Sequence, residues 1–555
     1  MKSRTGIELF LSALKEYNID HIFGNPGTSE SAITNSLALP EHKDFKYFLA
    51  VQEGVAMGMA DGWARSTGKT AFVNLHIDSG LANGISLLIN AFYGGAPIVL
   101  TAGNKDIRKF NSYRSNLVNM VKEFTKWSAE VTHIEQLPEM TMRAFKEAST
   151  PPTAPTFLSI SANVFDEITD LDVIKLPQIS NNFSPDSNSI KILSDKIIES
   201  DNPMIILGDR ISHSNSSNKA VEFAELTGSK VYVSSTSEIN FPTDHKQYLG
   251  ALPNLLPKAK EIIDKHDLVI SIGSNVFDGF FYIKGQLFGN KTYHAHIDSS
   301  ASAISRNEQT NLGILSNPNT ALKSLIININ NNIDGETREK ISLRKNDIYK
   351  ESEKISSANK QTTQDKFNDD PMSAYRLFSE LSEVLSEDVI IIDDSVSSRP
   401  ALMATNHFKP KKLFGERGGA IGWGMGATMG VKLANPDKNV IGIIGDGSAM
   451  MTMQALWTAA NSKIPVIYII CNNKSYRVLK TNMQIYKEEI LNEDNPDYKY
   501  FAMDFNPSFN FAELANTFGL NGIKISDPKL IKKHVTESLN SDITTVLDID
   551  IDGSV

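Results

Sequence analysis

Two apolar runs toward the C-terminal end, each closed by a turn rich in oxygen donors, constrain this chain more than any other feature. Residues 440–444 (VIGII) run directly into Gly445-Asp446-Gly447-Ser448, and residues 466–471 (VIYIIC) run directly into Asn472-Asn473. A helical signal at 454–460 lies between them. Almost continuously apolar strands separated by a helix belong to a parallel sheet buried on both faces, so both turns leave it at one carboxyl edge. Open α/β sheets take their ligands at that edge. Asp446 offers a carboxylate and Asn473 an amide oxygen, hard donors that suit Mg²⁺, an ion that usually shares its shell with phosphate oxygens. Gly447 lets backbone approach a diphosphate, and the helix that follows turns free N–H groups toward it. Taken alone, Gly-Asp-Gly is a common turn, and two ordinary strand-to-helix turns are the bland alternative; spacing, strand context and donor types together favour the site.

The same alternation occurs twice upstream. In the first third, residues 9–17 predict a helix, 21–23 a brief strand, Ala71–Leu75 a buried strand, 80–92 a helix, and 98–101 and 156–160 further strands. Residues 172–189 are polar, contain Pro177 and Pro185, and read as a linker. The second unit has strand signals at Pro203–Leu207, Lys230–Val233, 267–272 and 293–297, with a helix at 218–226. Residues 333–369 are charged or polar and read as exposed helix followed by linker. A third unit starts at Asp370, with a further strand at 389–392. The expectation is an α/β protein of three doubly wound parallel-sheet domains, 1–171, 190–332 and 370–555. A chain of 555 residues suits that number at roughly 100–200 residues each.

Composition removes several classes of function. Lys and Arg total 55 against 65 Asp and Glu, a net charge of −10, which argues against a nucleic-acid partner that needs a cationic face. Cys471 is the single cysteine, so no intrachain disulfide can form, in keeping with a reducing compartment. The apolar stretch before Lys15 and Glu16 is too short for a signal peptide, and no run reaches the ~20 apolar residues of a membrane span. A cytoplasmic protein without a membrane partner is the expectation.

Further segments share a pattern with the C-terminal pair. They are GNPGTSE (24–30), VQEGVAMGMADGWAR (51–65), NLH (74–76), GGAIGWGMGATMGVKLANP (418–436) and GDGSAMMTMQALWTAANSKIPVIYIICNN (445–473). Together they resemble the thiamine-diphosphate-dependent 2-oxo-acid decarboxylases and acetolactate synthases, and within that superfamily most of all the benzoylformate decarboxylases. The likeness covers the outer thirds by motif and the middle third by layout, and is more specific for cofactor than for substrate. It implies a pyrimidine-binding domain, a middle Rossmann-like domain and a diphosphate-binding domain. It also implies thiamine diphosphate and Mg²⁺ as cofactors, and a small-molecule 2-oxo acid as substrate.

The resemblance assigns roles to particular residues. Glu53 would hydrogen-bond the pyrimidine N1′ and make the 4′-amino group able to take the thiazolium C2 proton; a carboxyl in apolar surroundings favours the protonated form that suits this relay. Without the resemblance Glu53 reads as a helix-start carboxylate. The carbonyl of Gly419 would accept from the 4′-amino group, and Ile421 would wedge between the two rings, or else simply pack in the core. Asp446, Asn473 and the backbone carbonyl of Ser475 would hold the metal. Gly447, Ser448, Tyr476, Ser395 and Val396 would contact the diphosphate. Gly27 and Thr28 would face the cofactor of another subunit, Thr28 with its hydroxyl on the substrate carboxylate. His76 would handle protons, its alternative being a structural histidine. Because the acid and the metal site come from different chains in the family, a homodimer is the smallest active unit and a homotetramer is usual.

Departures from the family pattern fall around the substrate. Where the benzoylformate decarboxylases carry a second catalytic His, residues 274–282 offer Phe280 or Phe281, and neither ring titrates. Glu416 and Arg417 stand where small or apolar residues are expected, and Asn482 replaces an aromatic beside the apolar walls Val478 and Leu479. A buried unpaired Arg would be costly, so Arg417 points to an anionic or larger polar substrate unless it pairs with Glu416 or an internal Asp. Gly208-Asp209-Arg210 follows a strand but no GxGxxG occurs there, so no FAD is expected. The expected reaction is non-oxidative decarboxylation of a 2-oxo acid to an aldehyde. Carboligation of the acetolactate-synthase or acyloin-forming type is the alternative, and a cofactor-binding protein without turnover is an alternative of another class.

Overall fold

Eighteen strands in three all-parallel sheets of six carry the fold of the computed structural model, which describes residues 3–109, 114–234, 238–277 and 279–555. The first sheet comprises β1 (His21–Asn25), β2 (Lys46–Leu49), β3 (Ala71–Leu75), β4 (Ile98–Asn104), β5 (Trp127–Val131) and β6 (Thr156–Ser161), in the order 2-1-3-4-6-5. The second comprises β7 (Pro203–Leu207), β8 (Lys230–Val233), β9 (Tyr248–Ala251), β10 (Leu268–Ile272), β11 (Tyr293–Asp298) and β12 (Leu312–Leu315), in the order 9-8-7-10-11-12. The third comprises β13 (Ile390–Asp394), β14 (Leu413–Gly415), β15 (Val440–Gly445), β16 (Ile467–Asn472), β17 (Asn521–Ile525) and β18 (Thr545–Asp550), in the order 14-13-15-16-18-17. Parallel strands need crossovers that leave both faces covered, which is why the inner strands are buried along almost their whole length.

Four helices matter for the site, and a fifth is long and exposed. They are α1 (Glu53–Thr67), α2 (Ile77–Tyr93), α3 (Gly335–Asp365), α4 (Trp423–Ala434) and α5 (Arg477–Ile485). Within 333–369 the structure has one long exposed helix, α3, which buries only Ile348. Helices α1 and α4 cross in close contact and tie the first sheet to the third. A Cβ on Gly62 would lie 2.8 Å from the Cα of Ala427, and one on Gly430 would overlap the Met59 carbonyl. One apolar cluster runs through this crossing from Phe23 and Val55 past Trp423 to Ile444 and Tyr468. Around it lies a buried polar group: Trp423 donates to Asp61, Arg65 pairs with Glu238 at 2.9 Å, and the same Arg65 donates to the Gly415 carbonyl at 2.9 Å. No helix among the described residues is long and apolar enough to cross a membrane.

Candidate functional site

The strand register gathers the C-terminal candidates. Gly445 pairs with Cys471 and Asp394 with Ile444, so the residues following β13, β15 and β16 emerge side by side. Asp446 is buried, its Oδ1 accepting from the Gly447 N–H at 2.8 Å and its Oδ2 from the Lys474 N–H at 2.6 Å. Burial pushes its carboxyl up to about 6. Asn473 is also buried, and its Oδ1 accepts from the Ser475 N–H at 3.0 Å. A Cβ on Gly447 would lie 2.5 Å from the ring of Tyr476, whose edge meets Phe505 at 4.6 Å; glycine is required here by an aromatic neighbour. Val396 has φ +50°, a left-handed conformation that costs a β-branched residue energy and is concentrated at functional turns. Ser395 donates to Asp393 at 2.6 Å and Ser448 donates to Asp394 at 3.2 Å.

The loop from Glu416 to Ile421 completes this half. Gly419 is exposed with φ +78°, and its N–H is taken by Glu416 Oε2 at 2.8 Å. Asp394 Oδ2 accepts from the N–H groups of Gly422 and Gly424, each at 3.0 Å. Burial outweighs those donors and pushes the Asp394 carboxyl up to about 8. Ile421, half-buried, stands between the exposed glycine and the start of α4.

A second group forms at the carboxyl ends of β1 and β3. Glu53, the first residue of α1 and 7 % exposed, takes an amide donor on each oxygen: Asn25 on Oε1 and Asn83 of α2 on Oε2, both at 3.0 Å. Both carboxylate oxygens are therefore held by side-chain amides. His76 Nδ1 lies 2.8 Å from Ser29 Oγ and 3.0 Å from Glu30 Oε2. Glu30 is fully buried and also accepts from the N–H groups of Gly27 and Gly103. A Cβ on Gly27 would overlap the His76 ring, so the GNPGTSE turn lies directly on the histidine. Thr28 is exposed, and Ser29 supplies the hydroxyl that meets His76.

Among the described residues, no hydrogen bond or ion pair within one chain joins Glu53 or His76 to Asp446, Asn473 or Gly419. Val478, Leu479 and Asn482 share α5, with Leu479 exposed. Phe280 is 92 % exposed, and Phe281 stacks on Tyr486 at 6.3 Å. Arg417 is not an unpaired charge; its Nε lies 3.1 Å from Asp209 Oδ2, the internal partner left open by the sequence. It lines a cavity of 610 Å³ between the first and second sheets, with Asp209, Arg210, His213 and Tyr93, and none of the α5 residues lines it. That pairing removes the reason for inferring an anionic substrate from Arg417.

The donors at the third sheet suit a hard cation. They are one carboxylate, one amide oxygen and a backbone carbonyl, all oxygen. No cluster of three His, Cys, Asp or Glu that could hold a metal occurs among the described residues, so such an ion would complete its shell with other oxygens, as diphosphate and water supply.

Comparison with known proteins gives three matches to family models. Residues 4–127 match the thiamine pyrophosphate enzyme N-terminal TPP-binding domain, 190–325 the central domain, and 400–549 the C-terminal TPP-binding domain. Benzoylformate decarboxylase of Pseudomonas aeruginosa is 27 % identical over 545 residues, covering 97 % of each chain. The acetolactate synthase large subunit of Buchnera aphidicola subsp. Schlechtendalia chinensis is 28 % identical over 568 residues, covering 100 % of this chain and 96 % of its own. Among solved structures, benzoylformate decarboxylase from Polynucleobacter necessarius superposes with a TM-score of 0.85 at 23 % identity, over 100 % of this chain and 99 % of that one. The Rhodococcus jostii 4-hydroxybenzoylformate decarboxylase gives 0.84 at 23 %, over 99 % of each.

Proposed function

Because this chain belongs to the thiamine pyrophosphate enzymes, we propose that it is a Mg²⁺-dependent lyase that decarboxylates a 2-oxo acid without oxidation and releases an aldehyde. The observation that carries this reading is the retained triple of a buried, doubly held Glu53, an exposed left-handed Gly419 and a buried Asp446–Asn473 pair. When bound, thiamine diphosphate supplies the electron sink that lets a 2-oxo acid lose CO₂.

The residues divide the remaining work. Asp446, Asn473 and the Ser475 carbonyl hold the metal, and Ser448, Tyr476, Ser395 and Val396 border the diphosphate. The Gly419 carbonyl would accept a hydrogen bond at the pyrimidine end, Ile421 would pack beside it, and Glu53 would share a proton with N1′. His76 Nδ1, fixed by Ser29 and Glu30, leaves Nε2 to move a proton at the reacting carbon. The site is completed between two copies of the chain, the acid coming from one and the metal from the other.

The test needs no known substrate. Hydrogen–deuterium exchange at the cofactor C2, followed by proton NMR, is expected to be fast on the wild-type protein. Glu53→Gln should slow it by about a hundredfold or more while cofactor affinity changes little, the usual weight of one acid–base group. Equal exchange rates would reject the relay. A panel of 2-oxo acids, with CO₂ release and product identity both recorded, then assigns the reaction.

A second reading, carboligation, is favoured by Phe280, whose exposed ring cannot return a proton to the product-forming carbon. Slower protonation leaves time for attack on a second carbonyl. Product analysis with pyruvate, with and without an added aldehyde, separates the two reactions.

A further inference from the structure

We propose that Asn90 is a positioning residue for the pyrimidine end of the site: its buried amide sets the backbone on which Gly419 is presented. This rests on the cofactor reading above. Asn90 is wholly buried near the end of α2. Its Oδ1 accepts from the N–H groups of Gly418 at 2.8 Å and Ala420 at 3.2 Å, and its Nδ2 donates to the Ala420 carbonyl at 2.7 Å. A buried amide must satisfy its polar atoms, and this one directs three hydrogen bonds to a single three-residue stretch. The stretch lies outside any strand or helix, so no ladder fixes it.

The geometry is that of a clamp applied from behind. Both neighbours of Gly419 are held by Asn90, while Gly419 itself faces outward with φ +78°. Gly418 has no room for a side chain, since a Cβ would lie 2.5 Å from the Asn90 Oδ1. The backbone on either side of Gly419 is thus held by an amide 328 residues away in sequence from the Gly418 N–H it accepts. The same helix carries Asn83, seven residues earlier and so about 10.5 Å along the same face, where it holds Glu53. One helix therefore fixes both an oxygen of the acid and the glycine backbone.

The test separates positioning from general packing. Asn90→Ala removes all three bonds; Asn90→Asp keeps an acceptor for both N–H groups and loses the donor. Affinities for thiamine diphosphate and for inorganic pyrophosphate, each with Mg²⁺, are measured by calorimetry, with thermal melting of the unliganded protein as the folding control. Asn90→Ala should weaken thiamine diphosphate about tenfold and leave pyrophosphate unchanged, with Asn90→Asp in between, the scale of one or two lost hydrogen bonds. If Asn90→Ala does not fold, Asn90→Asp carries the comparison. Parallel losses for both ligands, or no loss for either, would overturn the role of Asn90. A wild type that binds thiamine diphosphate no better than pyrophosphate would instead defeat the cofactor reading, and this proposal with it.

Discussion

Glu53 and Asp394 are both buried acids, and their neighbours treat them differently. Glu53 is gripped through both oxygens by side-chain amides, which fix its direction. Asp394 accepts two backbone N–H groups and the Ser448 hydroxyl, yet burial lifts its carboxyl from 3.8 to about 8. An acid raised in the folded state binds more protons there than in the unfolded chain, so this group makes stability fall as pH rises through that window. Asp394→Asn keeps the accepting oxygen and carries no charge, so its melting temperature should vary less with pH across that range. A slope equal to the wild type would contradict this origin. At this scale Asp446 and Asn473 stand out in the sequence as oxygen donors at strand ends, and Glu53 stands out only through the family resemblance. Asn25, Asn83, Asn90, Glu30 and Asp394 stay hidden, since an ordinary amide or acid gains its role only from partners brought close by folding.

The elements divide by their place in the sheets. Of the strands the sequence leaves unmarked, β2, β5, β9, β12, β14 and β17 are the six sheet edges, and only β18 is internal. An edge strand is covered on fewer sides and carries polar residues, as in Lys46–Leu49, so its apolar signal fades. Central strands are buried on both faces and read clearly. The α1–α4 crossing rests on glycines four residues apart, Gly58 and Gly62 on α1 and Gly426 and Gly430 on α4, a one-face spacing that an apolar pattern does not mark. Gly430→Ala would press a methyl group into the Met59 carbonyl and should cost about 2 kcal/mol or more, read as a lowered denaturation midpoint. Gly335→Ala, which meets open space at the start of α3, should leave the midpoint unchanged. Equal effects of the two changes would deny the close packing its importance.

Across the whole molecule, the first and third sheets repeat one strand order and present their candidate groups separately, the acid and histidine on one, the oxygen donors on the other. Helices α1 and α4 hold the two sheets together, and among the described residues no direct hydrogen bond or ion pair joins the acid or the histidine to the oxygen donors within a single chain. The account therefore predicts complementation between two damaged copies. Glu53→Gln and Asp446→Ala, each without C2 exchange alone, are mixed and allowed to reassociate, and exchange on bound thiamine diphosphate is followed by NMR. Random pairing makes half the dimers mixed, each with one intact site, so about a quarter of the wild-type rate should return. No recovery, with mixed dimers demonstrated to be present, would mean that each chain builds its own complete site and would contradict the account.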